Sequence, residues 1–497
     1  MPVQFNNIPA NARVPLFWAE INAAQANYQS NARLLLIGQM LPTGTALANE
    51  PIQIISNSAG MFGSGSMLAD MYSFVPNNAP LQETWALPLL DLAAGVAAAG
   101  SILVTGVVTT PANFSLWIGG QQVTVGVAAT DTTAGIAAKI VAAINAISTI
   151  CVVASVDGTT ASQVDLVAKH KGTAGNSIRV ETNLYGTDGP VSSQILTITQ
   201  PIGGSGDPVI ATALANLGDE EFDFIAAPYG DAVSLAAIQS FLDGVAGRWS
   251  PIQQLYGSYV CVRNDAPAAL TVFGKTRNDP HTSIVGSYNS PSPSWQWAAA
   301  LGARMAAHLQ DAPELSRPLQ TLPLIGILPP KLTSDRPNKT TRQSFYYAGI
   351  SSYSVDRAGN VLIDRVVTTY QTNAYGSPDP SWLSVNTLAQ NVFAIRYLRA
   401  KVTGQWGRAA LMDSNPGNIQ GVATADDIRA TILHGYLELN TIYGVVDNFE
   451  VFKALLIVER DQSDANRINV YLPMQAVGQL DIIAVNATSY LNFASAA

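Results

Sequence analysis

Residues 208–242, PVIATALANLGDEEFDFIAAPYGDAVSLAAIQSFL, decide the fold. The short apolar run 222–228 lies between a helical pattern over 209–217 and another over 233–246, a strand enclosed by helices. The alternation continues downstream: a strand at 256–262, a short helix at 266–273, a strand at 282–288, a helix at 293–310 and a strand at 324–328. Strands separated by helices imply right-handed crossovers and a largely parallel sheet covered on both faces, which makes the core α/β. The runs 345–355 and 361–369 then flank the turn Asp356-Arg357-Ala358-Gly359-Asn360, an antiparallel hairpin.

Upstream of this core lies glycine-rich linker, 201–208, and before it a stretch with different composition. From about residue 93 Ala, Gly, Thr and Val take over, and 92–130 contains no charged residue. Residues 93–199 therefore read as an inserted small α+β domain. The runs 114–118 and 121–125 flank Gly119-Gly120, a two-residue hairpin turn that requires positive φ. Asp131 or Thr132 can cap the following helix, which places Ile136, Ile140, Ile144 and Ile147 on one face. Strands follow at 151–156, 164–168, 172–176 and 178–182. Glycines at 95, 100 and 106 interrupt the uncharged stretch, so it reads as sheet and not as a membrane span.

The core begins earlier, at Leu34-Leu35-Leu36-Ile37-Gly38, a buried-strand pattern closed by glycine. The organisation is then an extended arm at 1–30, a discontinuous core at 31–92 and 200–383, the insert at 93–199, an α+β C-terminal domain at 384–478 and a second arm at 479–497. In the C-terminal domain a helix over 384–402 carries the apolar stripe Val385, Leu388, Val392, Ile395, Leu398 and Val402. A second helix starts at Thr424, where Thr424 and Asp427 have capping-box spacing. Strands are expected at 449–458 and 467–472.

Composition narrows the function. Of 497 residues 48% are hydrophobic and only 12% charged, which suits a chain with extensive self-contact. The balance of 26 Lys+Arg against 35 Asp+Glu argues against a nucleic-acid-binding domain. The first twenty residues lack the charged and apolar regions of a secretory signal, so the expectation is a chain made in cytoplasm. Cys151 and Cys261 are the only cysteines; both sit in strand-like runs and read as reduced, buried hydrophobes. The four histidines, His170, His281, His308 and His434, lack metal-ligand spacing, and His434 with Glu438 reads as a surface pair at i, i+4. Phe273-Gly274-Lys275-Thr276 resembles part of a phosphate loop, but Ala269 stands where its first glycine belongs. Phe62-Gly63-Ser64-Gly65-Ser66 lacks the spacing of a nucleophile elbow. No catalytic, cofactor or metal residues are assigned.

Longer segments point to a family. FNNIPANARVPLFWAEINAAQAN at 5–27, followed by RLLLIGQ at 33–39, resembles the N-terminus of contractile tail sheath proteins of phage Mu-like myoviruses. GSMLADMYSFVPNNAP at 65–80, FDFIAAPYGD at 222–231, NVFAIRYLRAKV at 391–402 and INVYLPMQAVGQLDIIAV at 468–485 continue the resemblance in order. It implies a subtilisin-like α/β core without protease activity, in a subunit that forms six-membered rings stacked helically around a tail tube. It also implies contraction triggered by the baseplate, contact with the tail tube and tail terminator proteins, and a place in the virion after assembly in the host cytoplasm. Neither direct nucleic-acid binding nor stable membrane insertion is expected. The alternatives are another self-assembling virion protein, such as a tube or capsid subunit, and an α/β enzyme using the crevice at the strand ends.

Two sets of contact residues follow. The arms, with Val3, Phe5 and Ile8 in one and Leu480, Ile482, Ile483 and Val485 in the other, are expected to add strands to neighbouring subunits. Each is too short for a stable sheet alone, and the strands at 449–458 and 467–472 would accept them on their open edges. By the family resemblance the helix 384–402 faces the tube, with Arg396 and Lys401 as candidate tube contacts. Arg399 falls near the apolar stripe, where an intramolecular partner is expected. The insert is expected to sit on the exterior as a self-contained module.

Overall fold

A computed structural model describes residues 32–55, 57–184 and 194–489. Val3, Phe5 and Ile8 lie outside these residues. The first segment holds β1 (Leu34–Gln39), β2 (Ile52–Gln53), α1 (Ser58–Phe62), α2 (Met67–Asn78) and β3 (Thr84–Leu89). The insert follows with β4 (Ala97–Val104), β5 (Ala112–Ile118), β6 (Gln121–Val127), α3 (Thr133–Asn145), β7 (Val152–Val156), β8 (Gln163–Lys171), β9 (Val180–Thr182) and β10 (Leu196–Ile202). The core resumes with α4 (Ile210–Ala215), β11 (Phe224–Ala227), α5 (Ala232–Phe241), β12 (Ser258–Arg263), α6 (Pro267–Gly274), β13 (Thr282–Gly286), α7 (Ser294–His308), α8 (Lys339–Tyr346), β14 (Ile350–Val355) and β15 (Val361–Arg365). The C-terminal region contains α9 (Val385–Trp406), β16 (Ala410–Leu411), β17 (Val422–Ala423), α10 (Ala425–Thr441), α11 (Phe449–Leu455), β18 (Ile457–Arg460) and β19 (Ile468–Tyr471).

Among the described residues the core is an eight-stranded sheet ordered β15-β14-β13-β12-β11-β1-β3-β2. The strands from β14 to β3 are parallel, and β15 and β2 close the two edges antiparallel. Side chains alternate across a strand, so β1 feeds both faces. Leu34 and Leu36 join the cluster covered by α2 and α7, while Leu35 and Ile37 join the one covered by α4, α5, α6 and α8. Helix α7 lies close to the sheet because Gly302 has no side chain: a Cβ there would come within 2.7 Å of Ala226.

Several elements differ from the sequence reading. β3 was not expected; it is a buried strand with Pro88 inside it, and a proline inside a run argues against a strand. Residues 324–328 are not a strand. Thr321 and Leu324 hydrogen-bond to the outer edge of β15, and the chain then turns at Gly326, where φ is 89°. The hairpin begins at Ile350 because Asn338 caps a helix through Tyr346. The expected strand 449–458 is a helix to Leu455 followed by a short strand. Within the insert, the expected strand 172–176 is replaced by a 3-10 turn over Thr173–Ser177.

Two further elements of the insert differ, since β10 was read in part as linker and α3 ends at Asn145, before Ile147; its turn and helix otherwise follow the reading. Gly119 and Gly120 have φ of 54° and 81°, Thr132 caps α3, and Ile136, Ile140 and Ile144 are buried. Its boundary and independence do not. β10 pairs with β4, so residue 199 cuts a strand in two; the insert closes at the bridge between Val96 and Ser205. Nor is the insert self-contained, because its interior runs without a break into the core cluster under α2 and α7.

Candidate functional site

Chain order places β1 and β11 side by side at the centre of the sheet, and successive strands build outward from them in opposite directions. In open α/β sheets, ligands bind at this switch point, beyond the strand C-termini. Here the position is filled by the insert. The buried Gln39, at the end of β1, donates through Nε2 to Asp91 Oδ1 at 2.7 Å and to the Lys171 carbonyl at 2.8 Å. Tyr229, after β11, donates its hydroxyl to Gln39 Oε1 at 3.5 Å. His170 accepts the Met67 amide on Nε2 at 3.0 Å, which leaves the proton on Nδ1, facing Asp91 Oδ1 at 3.0 Å. Asp91 is partly buried, which on its own would push its pKa up, but the bonds from His170, Lys171 and Gln39 outweigh this and hold it below the ordinary carboxylate value. The crevice of the sheet is thus a polar seam between insert and core.

A second seam residue is Asp70 on α2. Its Oδ2 accepts Trp295 Nε1 at 2.6 Å and Gln296 Nε2 at 2.8 Å, and Gln296 also donates to the Gly119 carbonyl in the insert's hairpin turn. Burial of the carboxyl pushes its pKa up to about 6, against these two hydrogen bonds. Cys151, beside it, is pushed up to about 12 by burial, as is Cys261, so neither is a thiolate nucleophile at neutral pH.

The C-terminal region has a different character. α9 and α10 pack together, and α10 begins with the expected capping box: Asp427 N–H donates to Thr424 Oγ1 at 3.2 Å and Thr424 N–H to Asp427 Oδ2 at 2.9 Å. Tyr436 stacks on Phe452 at 3.6 Å and donates to the Asp447 carbonyl, which fixes α11 against α10. β18 and β19 then form a two-stranded antiparallel ribbon whose outer edges pair with no other strand among the described residues. Ile457, Val470 and Tyr471 on it are exposed.

Arg396 and Lys401 are not displayed outward. Arg396 is paired with Glu221 at 2.5 Å and Asp223 at 2.6 Å, and its side chain is only 11% exposed. Burial alone would lower the Arg396 pKa, but the two carboxylates raise it, while desolvation raises Asp223 despite its arginine. Lys401 pairs with Glu438, which also accepts the Tyr397 hydroxyl and lies 3.6 Å from His434. Arg399 has the intramolecular partner expected of it, donating to Gln254 at 3.0 Å. In the single chain both candidate tube contacts, Arg396 and Lys401, are thus engaged by carboxylates of the chain itself. Leu480, Ile482, Ile483 and Val485 are, by contrast, 65–79% exposed.

A Haemophilus influenzae protein, the Mu-like prophage FluMu tail sheath protein, is 32% identical to this chain over 492 residues, covering 97% of this chain and 99% of the relative. The chain belongs to the phage tail sheath proteins. The family pattern of the phage tail sheath protein central domain matches residues 203–369 of this sheath subunit, the stretch from the linker to the end of the core. Two solved structures are similar. The sheath tail protein from Desulfitobacterium hafniense has 11% identity and a TM-score of 0.48, covering 93% of the subunit and 97% of that chain. The helical sheath of the anti-feeding prophage in its contracted state has 12% identity and a TM-score of 0.48, covering 96% and 100%.

Membership makes the chain a structural subunit of a contractile tail sheath and a component of the phage particle. No described helix of the subunit is long and apolar enough to cross a membrane. Sequence reading missed the seam between insert and core. Asp70 stands alone in an apolar run, and its partners lie more than two hundred residues downstream. The one available signal was a lone carboxylate within LADMYSFV, a polar group that needs a partner once buried.

Proposed function

We propose that the subunit polymerises around a tail tube through strand exchange and shortens the sheath by pivoting subunits that remain linked. In this reading the core is of the subtilisin-like sheath type, and the C-terminal region faces the tube. Assembly takes place in the host cytoplasm between a baseplate and a tail terminator. The observation that carries it is the pairing of an open-edged ribbon, β18–β19, with an exposed apolar arm in one chain. A chain with only one of these features would face an aggregation hazard, whereas a chain with both can satisfy its neighbour's edge with its own arm. Each net hydrogen bond contributes about 1 kcal/mol, so several per arm, repeated over every subunit, make a continuous mesh. Val3, Phe5 and Ile8 supply the second arm in this proposal. Tube contact runs through groups other than Arg396 and Lys401, whose charges are spent within the chain.

Negative-stain microscopy of the purified chain tests this reading. Wide hollow tubes are expected from the whole chain, and folded, unassembled subunits after removal of residues 1–12 or of residues 482–497. Tubes of normal appearance from both shortened chains would overturn strand exchange.

A further inference from the structure

The C-terminal arm is clamped along its root and released at one residue. Ala476 bridges to Val446, and the Val477 amide donates to the Val445 carbonyl at 3.0 Å. Gln390 donates to the Val477 carbonyl at 2.9 Å, and Gln479 donates back to Gln390 Oε1 at 3.1 Å. Gln320 then donates to the Leu480 carbonyl at 3.0 Å, and Arg365 pairs with Asp481 at 2.8 Å. Beyond Asp481 the character changes: among the described residues, 482–489 make no hydrogen bond, and Ile482, Ile483 and Val485 are exposed. Asp481 is the last fixed point before the free apolar run.

The clamp is built from the core sheet. Arg365 ends β15, the edge strand, and its neighbour Asp364 is taken by Arg342 and by the Tyr346 hydroxyl. Among the described residues this leaves Asp481 as the acidic partner of Arg365. The pair sits in an open groove of about 640 Å³ whose rim includes Gln320, Lys339, Arg342 and Tyr346. Both partners are roughly a third exposed or less, at 31% and 26%, so the contact is electrostatic and open to salt.

We infer that the Arg365–Asp481 pair is an aiming latch: it fixes the point and direction from which the arm leaves the subunit, so that residues 482–485 are presented to a neighbouring copy. This inference rests on the strand-exchange reading. The latch holds the Asp481 side chain at the root and leaves the apolar side chains beyond it uncovered, whereas a contact that restrained assembly would cover them. Fixing the exit point reduces the orientational search that a second copy must make, which is the general benefit of pre-organisation.

The test compares the whole chain with Asp481→Asn, with the charge exchange Arg365→Asp/Asp481→Arg, and with a chain ending at residue 481. Assembly is followed by light scattering against protein concentration at low and high salt. The pair is exposed enough that Asp481→Asn should leave the melting temperature unchanged while raising the concentration for half-assembly about two- to five-fold. The same substitution should flatten the salt dependence, and the charge exchange should recover most of the loss. Faster assembly of Asp481→Asn, or equal assembly at every salt concentration, would overturn the latch while leaving strand exchange intact, provided the chain ending at 481 fails to assemble. Normal assembly of that shortened chain would instead overturn strand exchange through the C-terminal arm, on which the latch rests.

Discussion

β1 and the arm at 480–485 are built from the same residue types and meet opposite fates. Leu34, Leu35, Leu36 and Ile37 have no exposed surface, because α/β architecture covers a central parallel strand on both faces. Leu480, Ile482, Ile483 and Val485 keep most of their surface in the single chain. The first group spends its apolar area on folding. In the proposed strand exchange the second holds it for association. Stability and assembly should therefore respond to different substitutions.

The largest separation is expected between Leu36→Ala and the pair Ile482→Ala/Ile483→Ala. Truncating the buried leucine should lower unfolding stability by about 2–5 kcal/mol. The arm substitutions should stay within about 0.5 kcal/mol of the parent in the same denaturant titration, yet suppress assembly. Equal destabilisation by both would erase the distinction. Next in size is Arg396→Ala, which leaves Glu221 and the enclosed Asp223 without their cation; stability should fall by about 3 kcal/mol, mostly through the orphaned carboxylate. A loss no larger than that of an exposed arginine would return Arg396 to the surface and to candidacy for the tube.

A smaller, pH-dependent effect is expected at the seam. Because burial raises the Asp70 pKa from 3.8 to about 6, the folded state holds the proton more tightly than the unfolded state. Its contribution to stability is fully present below pH 3.8 and is lost as pH rises through about 6, so at pH 7 the ionised group is a burden. Asp70→Asn keeps the acceptor for Trp295 and Gln296 and removes the charge. Its melting temperature at pH 7 should exceed that of the parent, equivalent to about 1–3 kcal/mol, and the gap should narrow toward pH 4. A gap independent of pH would mean that Asp70 is not the titrating group.

What was legible in the sequence was local. The Gly119-Gly120 turn, the Thr424–Asp427 capping box and the alternation of strands and helices from 208 each rest on residues close together in the chain. Errors arose where local and tertiary preference conflict. Pro88 hid β3, and the polar run Lys339–Tyr346 hid α8, which buries little beyond Phe345. The apolar stretch from Phe449 reads as a strand until Tyr436 is seen stacking on Phe452. At the candidate site, the helix position of Arg396 was legible but its partners were not, since Glu221 and Asp223 lie 175 and 173 residues upstream. The exposed arm was legible because its pattern is apolar and has no periodic partner nearby.

Crosslinking between a donor and an acceptor chain tests the central claim most directly. One chain carries Ile483→Cys and the other Tyr471→Cys on the ribbon, both with Cys151→Ala; the native Cys261 is buried and inert. Mixed, assembled and oxidised, the two should give disulfide-linked pairs of different chains, absent from either chain alone and from unassembled mixtures. Tubes that form normally from the mixture without any such linkage would contradict donation of the arm at 480–485 to the β18–β19 edge.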